Sequence, residues 1–130
     1  MAHNCSNLLI RCMDYRLDIT FKKWLAENNY LGDTDIVSIA GACKPLAGDD
    51  KKISDYILNQ IAISTKLHHI KRVLLTQHEE CGAYGETSRD IVLKDMEKAK
   101  SLISAQYPDL TILLFWVKKI GDNWELEEIK

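Results

Sequence analysis

The segment IRCMDYRLD, residues 10–18, places three reactive side chains directly after an apolar run. Cys12, Asp14 and Arg16 occupy alternate positions in this segment. Alternate residues of an extended chain lie on the same face. A thiol, a carboxylate and a guanidinium are therefore predicted to converge at the end of a strand, where they would meet a partner or carry out chemistry.

The segment HEECG, residues 78–82, supplies a second set of candidate ligands. His78 and Cys81 lie three residues apart, so one turn of the chain can direct both side chains at a common point. Together with Cys12 they make two thiolates and one imidazole, which suit a tetrahedral zinc site. Three protein ligands leave one coordination position open for water, a pattern typical of catalytic zinc.

Each of these features also has a simpler interpretation. An isolated H-x-x-C pair often occurs by chance, Cys12 alone is compatible with a core thiol, and Asp14 with Arg16 is compatible with an ordinary ion pair. Without a metal, Cys12 is a candidate nucleophile, although Arg16 lies too close to it for a phosphate-binding loop of the C-x5-R type. Cys43 is interpreted either as a fourth metal ligand or as a buried thiol.

Hydrophobic periodicity predicts strands that alternate with helices. The first helix is expected to begin with Asp18 as its N-cap and to end at Gly32, with Leu31 on its apolar face; Thr87 or Ser88 is expected to cap the third helix. The predicted strands are 7–12, 35–41, 72–78 and 110–117, and the second helix covers 48–69. The apolar face predicted for the second helix comprises Ile53, Ile57, Gln60, Ile61, Ser64 and Leu67. The face predicted for the third helix comprises Ile91, Val92, Met96, Ala99 and Ile103.

This alternation predicts an α/β protein, in which a mostly parallel sheet lies between two layers of helices. We expect residues 1–130 to form a single domain. In open α/β sheets, ligands bind beyond the carboxyl ends of the strands, where strand order reverses. If Cys12 meets His78 there, the first and third strands are neighbours. The strand order is then 2-1-3-4, and a turn at 121–123 adds a short C-terminal edge strand.

Composition limits the classes of function. The chain of 130 residues has a net charge of -2 and a pI near 6.1, which gives no basic excess for a phosphate backbone. No apolar run approaches the ~18 residues of a membrane helix, and the first residues lack the apolar core of a signal peptide. The four cysteines are widely spaced rather than arranged as a disulfide scaffold. We therefore expect a cytoplasmic protein that binds neither nucleic acid nor membrane.

The two motifs together resemble those of the β-class carbonic anhydrases. CMDYR matches the family pattern C-x-D-x-R, and HEECG matches the later pattern H-x-x-C-G. The segment IAGA is similar to the family's Ala-Gly segment after its second strand, and FWVKKIGDNWELEEI is similar to its closing strand pair. The resemblance covers essentially the whole chain.

The resemblance implies one zinc ion per chain and reversible hydration of carbon dioxide to bicarbonate. Asp14 and Arg16 would be the catalytic pair: Asp14 would accept a hydrogen bond from zinc-bound hydroxide or become a fourth ligand in a closed state, and Arg16 would hold Asp14 in place. Gly41 and Gly82 would let the backbone approach the small substrate closely. The zinc ligands implied by the resemblance are Cys12, His78 and Cys81.

The chain also departs from the family pattern. The first motif begins at residue 12, so we expect no N-terminal arm, and Ser38-Ile39 stands where the family usually has Arg-Asn. The family implies a homodimer, which here would use other surfaces. The alternatives are a non-catalytic zinc-binding domain and a zinc hydrolase that acts on carbonyl sulfide or carbon disulfide.

Overall fold

The computed structural model describes residues 3–130, in which five strands alternate with four helices. The strands are β1 Asn7–Arg11, β2 Thr34–Ser38, β3 Arg72–His78, β4 Thr111–Ile120 and β5 Asn123–Ile129. The helices are α1 Asp18–Glu27, α2 Cys43–Ala47, α3 Lys51–His68 and α4 Arg89–Gln106, and a short 3-10 turn, Tyr15–Leu17, precedes α1. Within residues 3–130, no helix combines the length and the apolar composition needed to cross a membrane.

The sheet has the order β2-β1-β3-β4-β5, which confirms the predicted topology. The first four strands are parallel, and β5 pairs antiparallel with β4. Ile10 of β1 lies opposite Val37 of β2 and Leu75 of β3. Because the chain goes from β1 to β2 on one side and returns to β3 on the other, strand order reverses beside β1. The carboxyl ends of β1 and β3 are therefore neighbours at that point.

The two faces of the sheet pack against separate layers of helices. Alternate residues of β1 divide between the faces, as the twofold period of a strand requires. Leu9 packs with Phe21 and Leu25 of α1, whereas Leu8 and Ile10 lie in the cluster formed with α2, α3 and α4. The result is the predicted three-layer α/β/α arrangement.

The first helix differs from the prediction at both ends. Leu17 is its N-cap, without a side-chain cap, while Asp18 is the first helical residue and forms an ion pair with Arg11 at 3.6 Å. The helix ends at Glu27, and Leu31 is exposed in the following turn. In α4 the prediction of Ser88 as N-cap is confirmed, since its side chain accepts a hydrogen bond from the Ile91 N–H.

The predicted apolar faces of α3 and α4 extended too far toward the solvent. Ile53, Leu67 and Ile91 are exposed. The buried residues of α3 are Ser54, Ile57, Leu58, Ile61 and Ser64, and those of α4 are Val92, Met96, Ala99 and Ile103. Because each helix lies on the sheet with one side only, the outer apolar residues of a wide stripe remain in contact with water.

The predicted second helix begins three residues later than expected and ends at His68. Residues 48–50 precede it, and Asp50 caps α3 by accepting a hydrogen bond from the Lys52 N–H at 3.0 Å. The short helix α2, Cys43–Ala47, was not predicted. Its N-cap, Ala42, has a φ of 45°, so the chain turns sharply between Gly41 and Cys43 before α2 begins.

Candidate metal centre

Cys12, Asp14 and Arg16 converge through a turn and not through an extended strand. β1 ends at Arg11, and the 3-10 turn begins at Tyr15, so the predicted alternation along one strand face is wrong. Asp14 caps this turn, since its carboxylate accepts a hydrogen bond from the Arg16 N–H at 3.0 Å. The three side chains nevertheless lie at the carboxyl edge of the sheet, as expected.

Arg11 fixes the backbone of this turn from the inside of the protein. Its Nε donates to the carbonyl of Cys12 at 2.8 Å, and its Nη2 donates to the carbonyl of Asp14 at 2.9 Å. We did not predict this role for Arg11. The available signal in the sequence was an arginine at the end of an apolar strand, because arginine is rarely buried. Through these bonds Arg11 positions the two residues that flank Met13.

Arg16 binds the carboxylate of Asp14 through two nitrogens. Its Nη2 donates to Asp14 Oδ2 at 2.7 Å, and its Nε lies 3.1 Å from each of the two oxygens. Hydrogen bonds from the Arg16 side chain lower the pKa of Asp14 to about 2, against the opposing effect of burial. Asp14 is therefore an ionised hydrogen-bond acceptor at neutral pH, with both of its oxygens occupied by Arg16.

His78 presents a free nitrogen to the interior. Its Nδ1 lies 2.7 Å from the carbonyl of Glu79, which can only accept, so Nδ1 carries the proton. Nε2 therefore carries a lone pair in the neutral ring. This atom is the one buried side-chain nitrogen or oxygen among the described residues that has no hydrogen-bond partner. A buried lone pair without a donor is costly and is expected to face a metal ion.

Two thiols face the same point as this nitrogen. Cys12, His78 and Cys81 each offer one ligand atom, and these atoms lie within 4.8 Å of one another. The pKa of Cys12 is lowered by the hydrogen bond from Cys81, and also by His78 and the backbone N–H groups of Gly41 and Asp14. The same contact, together with burial, raises the pKa of Cys81. Cys12 therefore ionises readily, whereas Cys81 requires a cation that compensates the added negative charge.

The three donors fit zinc in number, type and spacing. Zinc bonds of ~2.0 to 2.3 Å place neighbouring ligands of a tetrahedral site ~3.3 to 3.8 Å apart, which a small movement of these side chains would satisfy. Cys43 is not part of this group: it is fully buried, and its thiol donates to the carbonyl of Thr76 at 3.1 Å. Of its two interpretations, the buried thiol is therefore confirmed.

A cleft opens on one side of the three ligands and has a volume of about 710 Å³. Gly41 and Gly82 both border it, and only Gly41 has a conformational need for glycine. Its φ is 82°, and a Cβ at this position would lie 3.0 Å from that of Ala83. A Cβ on Gly82 would meet nothing within 4 Å. The other residues that line the cleft are Cys12, Met13, Asp14, Tyr15, Arg16, Ala40, Cys81 and Ala83.

The C-terminal strand pair contributes contacts to the site that we did not predict. Trp124 of β5 lies under the Arg16 guanidinium, 5.2 Å from its ring centroid, and meets the His78 ring edge-on at 5.8 Å. Glu80 accepts from Arg16 at 3.3 Å and pairs with Lys119 of β4 at 3.3 Å. A tryptophan on an alternating edge strand was the available signal, but the pattern did not indicate which face of the sheet it would occupy.

Gln77 connects the site to its supporting backbone. Its Nε2 donates to the carbonyl of Gly41 at 2.6 Å, and its Oε1 accepts from the His78 N–H at 2.9 Å. Both hydrogen bonds are buried. They hold the loop after β2 against the end of β3, beside the ligands.

Solved structures define the class of fold. The chain is similar to a carbonic anhydrase from Streptococcus mutans, with a TM-score of 0.68 and 17% identity over 96% of this chain and 82% of that one. It is also similar to a carbonic anhydrase from Glaciozyma antarctica, with a TM-score of 0.62 and 16% identity over 100% and 85% of the two chains. A β-carbonic anhydrase from Trichomonas vaginalis aligns with a TM-score of 0.56, at 17% identity over 96% and 83%. The protein therefore has the β-carbonic anhydrase fold.

The sequence defines the family within this class. Residues 2–130 match the family described as "Putative carbonic anhydrase", and the chain belongs to that family. It is 30% identical to an uncharacterized protein of Rickettsia conorii over 143 residues, covering 98% of this chain and 75% of the relative. It is also 30% identical to an uncharacterized protein of Rickettsia bellii over 129 residues, covering 87% of this chain and 76% of the relative.

Proposed function

We propose that the protein is a zinc-dependent lyase that reversibly hydrates carbon dioxide to bicarbonate. The observation that carries the proposal is the buried, unpartnered Nε2 of His78, which shares one point with the sulfur atoms of Cys12 and Cys81. Membership of the carbonic anhydrase family and the fold support the same reaction. Each chain would bind one zinc ion at these three residues.

The three proposed ligands are prepared for the metal by their surroundings. The Nδ1–H of His78 donates to Glu79, which fixes the ring orientation and leaves Nε2 free to bind. When bound, zinc would lower the pKa of a water molecule towards ~7 and so supply the nucleophile at neutral pH. Because Cys12, His78 and Cys81 are only three ligands, they would leave the fourth position of a tetrahedral zinc ion for that water.

Asp14 is proposed to accept the hydrogen bond of the attacking O–H group. Its Oδ2 lies 4.0 Å from His78 Nε2, so the carboxylate borders the point where the ligands meet. Arg16 keeps Asp14 ionised and engages both of its oxygens, which disfavours direct binding of Asp14 to the metal. This arrangement supports an open catalytic site over the closed, non-catalytic zinc domain, and it makes Arg16 a positioning residue.

Carbon dioxide is proposed to approach through the cleft beside Gly41 and Gly82. The methyl groups of Ala40 and Ala83 and the side chain of Met13 give the cleft apolar surface suited to a small nonpolar molecule. The bicarbonate product carries a charge, which favours its release into water. Carbonyl sulfide and carbon disulfide are the alternative substrates, and the experiment below is repeated with each of them.

Stopped-flow hydration of carbon dioxide by zinc-loaded protein tests this proposal. We expect Asp14→Asn to bind one zinc per chain and to lose at least ~100-fold in kcat/KM, since it removes a positioned proton acceptor. The matched control is Asp55→Asn, an exposed carboxylate on α3, which should retain the wild-type rate. Equal rates for wild type and Asp14→Asn would exclude the proposed role of Asp14, and a zinc-loaded wild type without activity would favour the non-catalytic domain.

Three further proposals concern the setting of this activity. We propose that residues 1–130 act as one domain and that the protein works in the cytoplasm, where a reducing environment keeps thiol ligands available.

We also propose a homodimer. Ile19 of α1 and Ile36 of the edge strand β2 are exposed apolar side chains, away from the cleft, that a second copy would cover. Light scattering with wild type and Ile36→Thr would test the dimer, which the substitution should weaken.

A further inference from the structure

A second group of metal-binding side chains lies at the opposite edge of the sheet. Cys5 precedes β1, Asp35 lies in β2, and His68 ends α3. Each offers one ligand atom, and these atoms lie within 4.8 Å of one another. A thiol, a carboxylate and an imidazole are the donor types that divalent zinc and cobalt bind.

Backbone pairing holds this group in place. The Cys5 N–H donates to the carbonyl of His68 at 3.0 Å, so these two residues are fixed against each other by the main chain. Asp35 pairs in register with Leu8 of β1. The Ser64 hydroxyl donates to Asp35 Oδ2 at 2.6 Å, which orients the carboxylate. The donors are therefore positioned by regular structure and a supporting hydrogen bond, as in a built metal site.

The distances within the group also suit a divalent ion. His68 Nδ1 lies 2.6 Å from Asp35 Oδ2, so these two donors already meet at one point, and the Cys5 thiol lies beside them. That thiol makes only a long hydrogen bond of 3.6 Å, to the carbonyl of Asn7. A divalent cation at this point would bind the thiolate, the carboxylate and one nitrogen of the neutral imidazole, with release of the thiol proton to water.

The group borders a cavity of about 230 Å³ through which an ion can enter. His3 lies at the same cavity, and its ring packs on that of His68 with a centroid distance of 4.7 Å. The cavity is separate from the first site, since Cys5 and Cys12 lie beyond opposite ends of β1. At ~3.3 Å per residue, that strand keeps the two cysteines about 20 Å apart.

We propose that Cys5, Asp35 and His68 form a second site for a divalent ion of the zinc class. The ion would displace the thiol proton of Cys5 into water and take the place of the hydrogen bond between Asp35 and His68, whose ring would stay neutral with its proton on the nitrogen that does not bind the ion. Its bonds would join the segment before β1 to β2 and to the end of α3, so its role is to stabilise this edge of the sheet. The site is independent of the proposed reaction.

Cobalt titration of the full chain tests the site. The first site is occupied with one equivalent of zinc, and Co²⁺ is then added while thiolate-to-cobalt charge-transfer absorption is recorded. We expect wild type to bind a second equivalent with this absorption, and Cys5→Ser to weaken this binding at least ~100-fold because the thiolate is lost. His68→Gln, which keeps a hydrogen-bond donor for Asp35, should weaken it similarly.

Cys43→Ser is the matched control, because Cys43 is a thiol outside both groups. It should bind the second equivalent as wild type does. Absence of a second equivalent in wild type, or equal binding by Cys5→Ser and wild type, would overturn the proposal. A failure of the first site would give a different result. In that case Cys12→Ser would bind the first equivalent of zinc as tightly as wild type does.

Discussion

The Nδ1–H of His78 donates to the carbonyl of Glu79 at 2.7 Å, and this contact determines which nitrogen of the ring is free. The free Nε2 is buried without a partner, so the metal-free protein contains an uncompensated polar atom. Zinc would relieve this cost and would also permit both neighbouring thiols to ionise. The stability of the fold is thus predicted to depend on the metal.

Thermal unfolding should show this dependence. Zinc in excess of its dissociation constant by ~100-fold adds about 2.7 kcal/mol, so we expect chelation to lower the Tm of wild type by about 10 °C. His78→Phe replaces the ring with an apolar one of similar shape and should lose most of this zinc effect, while its metal-free form is at least as stable as metal-free wild type. Cys43→Ser should keep the full effect. A Tm that does not respond to zinc would contradict the prediction.

Trp124 is predicted to act as a positioning residue through Arg16 and His78. Removal of its ring in Trp124→Ala would withdraw the surface under the Arg16 guanidinium and leave Asp14 less firmly held. We expect zinc to be retained and kcat/KM to fall about 10-fold, with a changed pH profile. Trp124→Phe, which keeps an aromatic face, should recover most of the activity. An unchanged pH profile in Trp124→Ala would assign the residue a purely structural role.

Gly41 and Gly82 are predicted to respond differently to the same substitution. Gly41→Ala combines a φ of 82° with a Cβ only 3.0 Å from that of Ala83, so it should lower the free energy of unfolding by about 1 to 3 kcal/mol. Gly82→Ala has neither problem and should leave stability within about 0.5 kcal/mol of wild type. Urea unfolding of the metal-free proteins measures both. Equal losses would show that the tight turn at Gly41 is not a constraint.

Tyr84 is predicted to limit stability at high pH. Its hydroxyl donates to Asp95 at 2.7 Å and so anchors the loop after Cys81 to α4. Burial and the Asp95 carboxylate raise the pKa of Tyr84 above that of a free phenol. The Tyr84 phenol therefore ionises at a lower pH in the unfolded chain than in the folded protein. The contribution of its hydrogen bond to the free energy of unfolding is complete below pH ~10 and is lost as pH rises further.

Spectrophotometric titration measures this effect. One of the five tyrosines should ionise only as the chain unfolds, and Tyr84→Phe should remove that step. We also expect the free energy of unfolding of Tyr84→Phe to depend less on pH between 9 and 11 than that of wild type. Ionisation of all five tyrosines while the fold is intact would contradict the prediction.

The order of strands and the proximity of the ligands could be predicted from the sequence because both follow from what ends each strand. Continuous apolar runs marked β1, β3 and β4, and Cys12 with His78 implied that β1 and β3 are neighbours. The same reasoning failed at Asp14 and Arg16. Their contact depends on a turn that begins after Arg11, and periodicity does not distinguish such a turn from two more strand residues.

Tertiary packing determined the features that the sequence could not indicate. The helix Cys43–Ala47 is too short to show a period, and it contains Pro45, which reads as a loop. Trp124 alternates with polar residues in β5, but only the position of β5 beside β4 shows that its ring reaches His78. The second cysteine group likewise depends on the pairing of Cys5 with His68, residues far apart in the chain.

The pH dependence of carbon dioxide hydration by the zinc-loaded wild-type chain tests the central claim most directly. Stopped-flow rates between pH 6 and 9 should lie far above the uncatalysed rate and rise with pH, with one zinc bound at Cys12, His78 and Cys81. Protein that holds one zinc at these residues and shows no hydration across this pH range would contradict the claim.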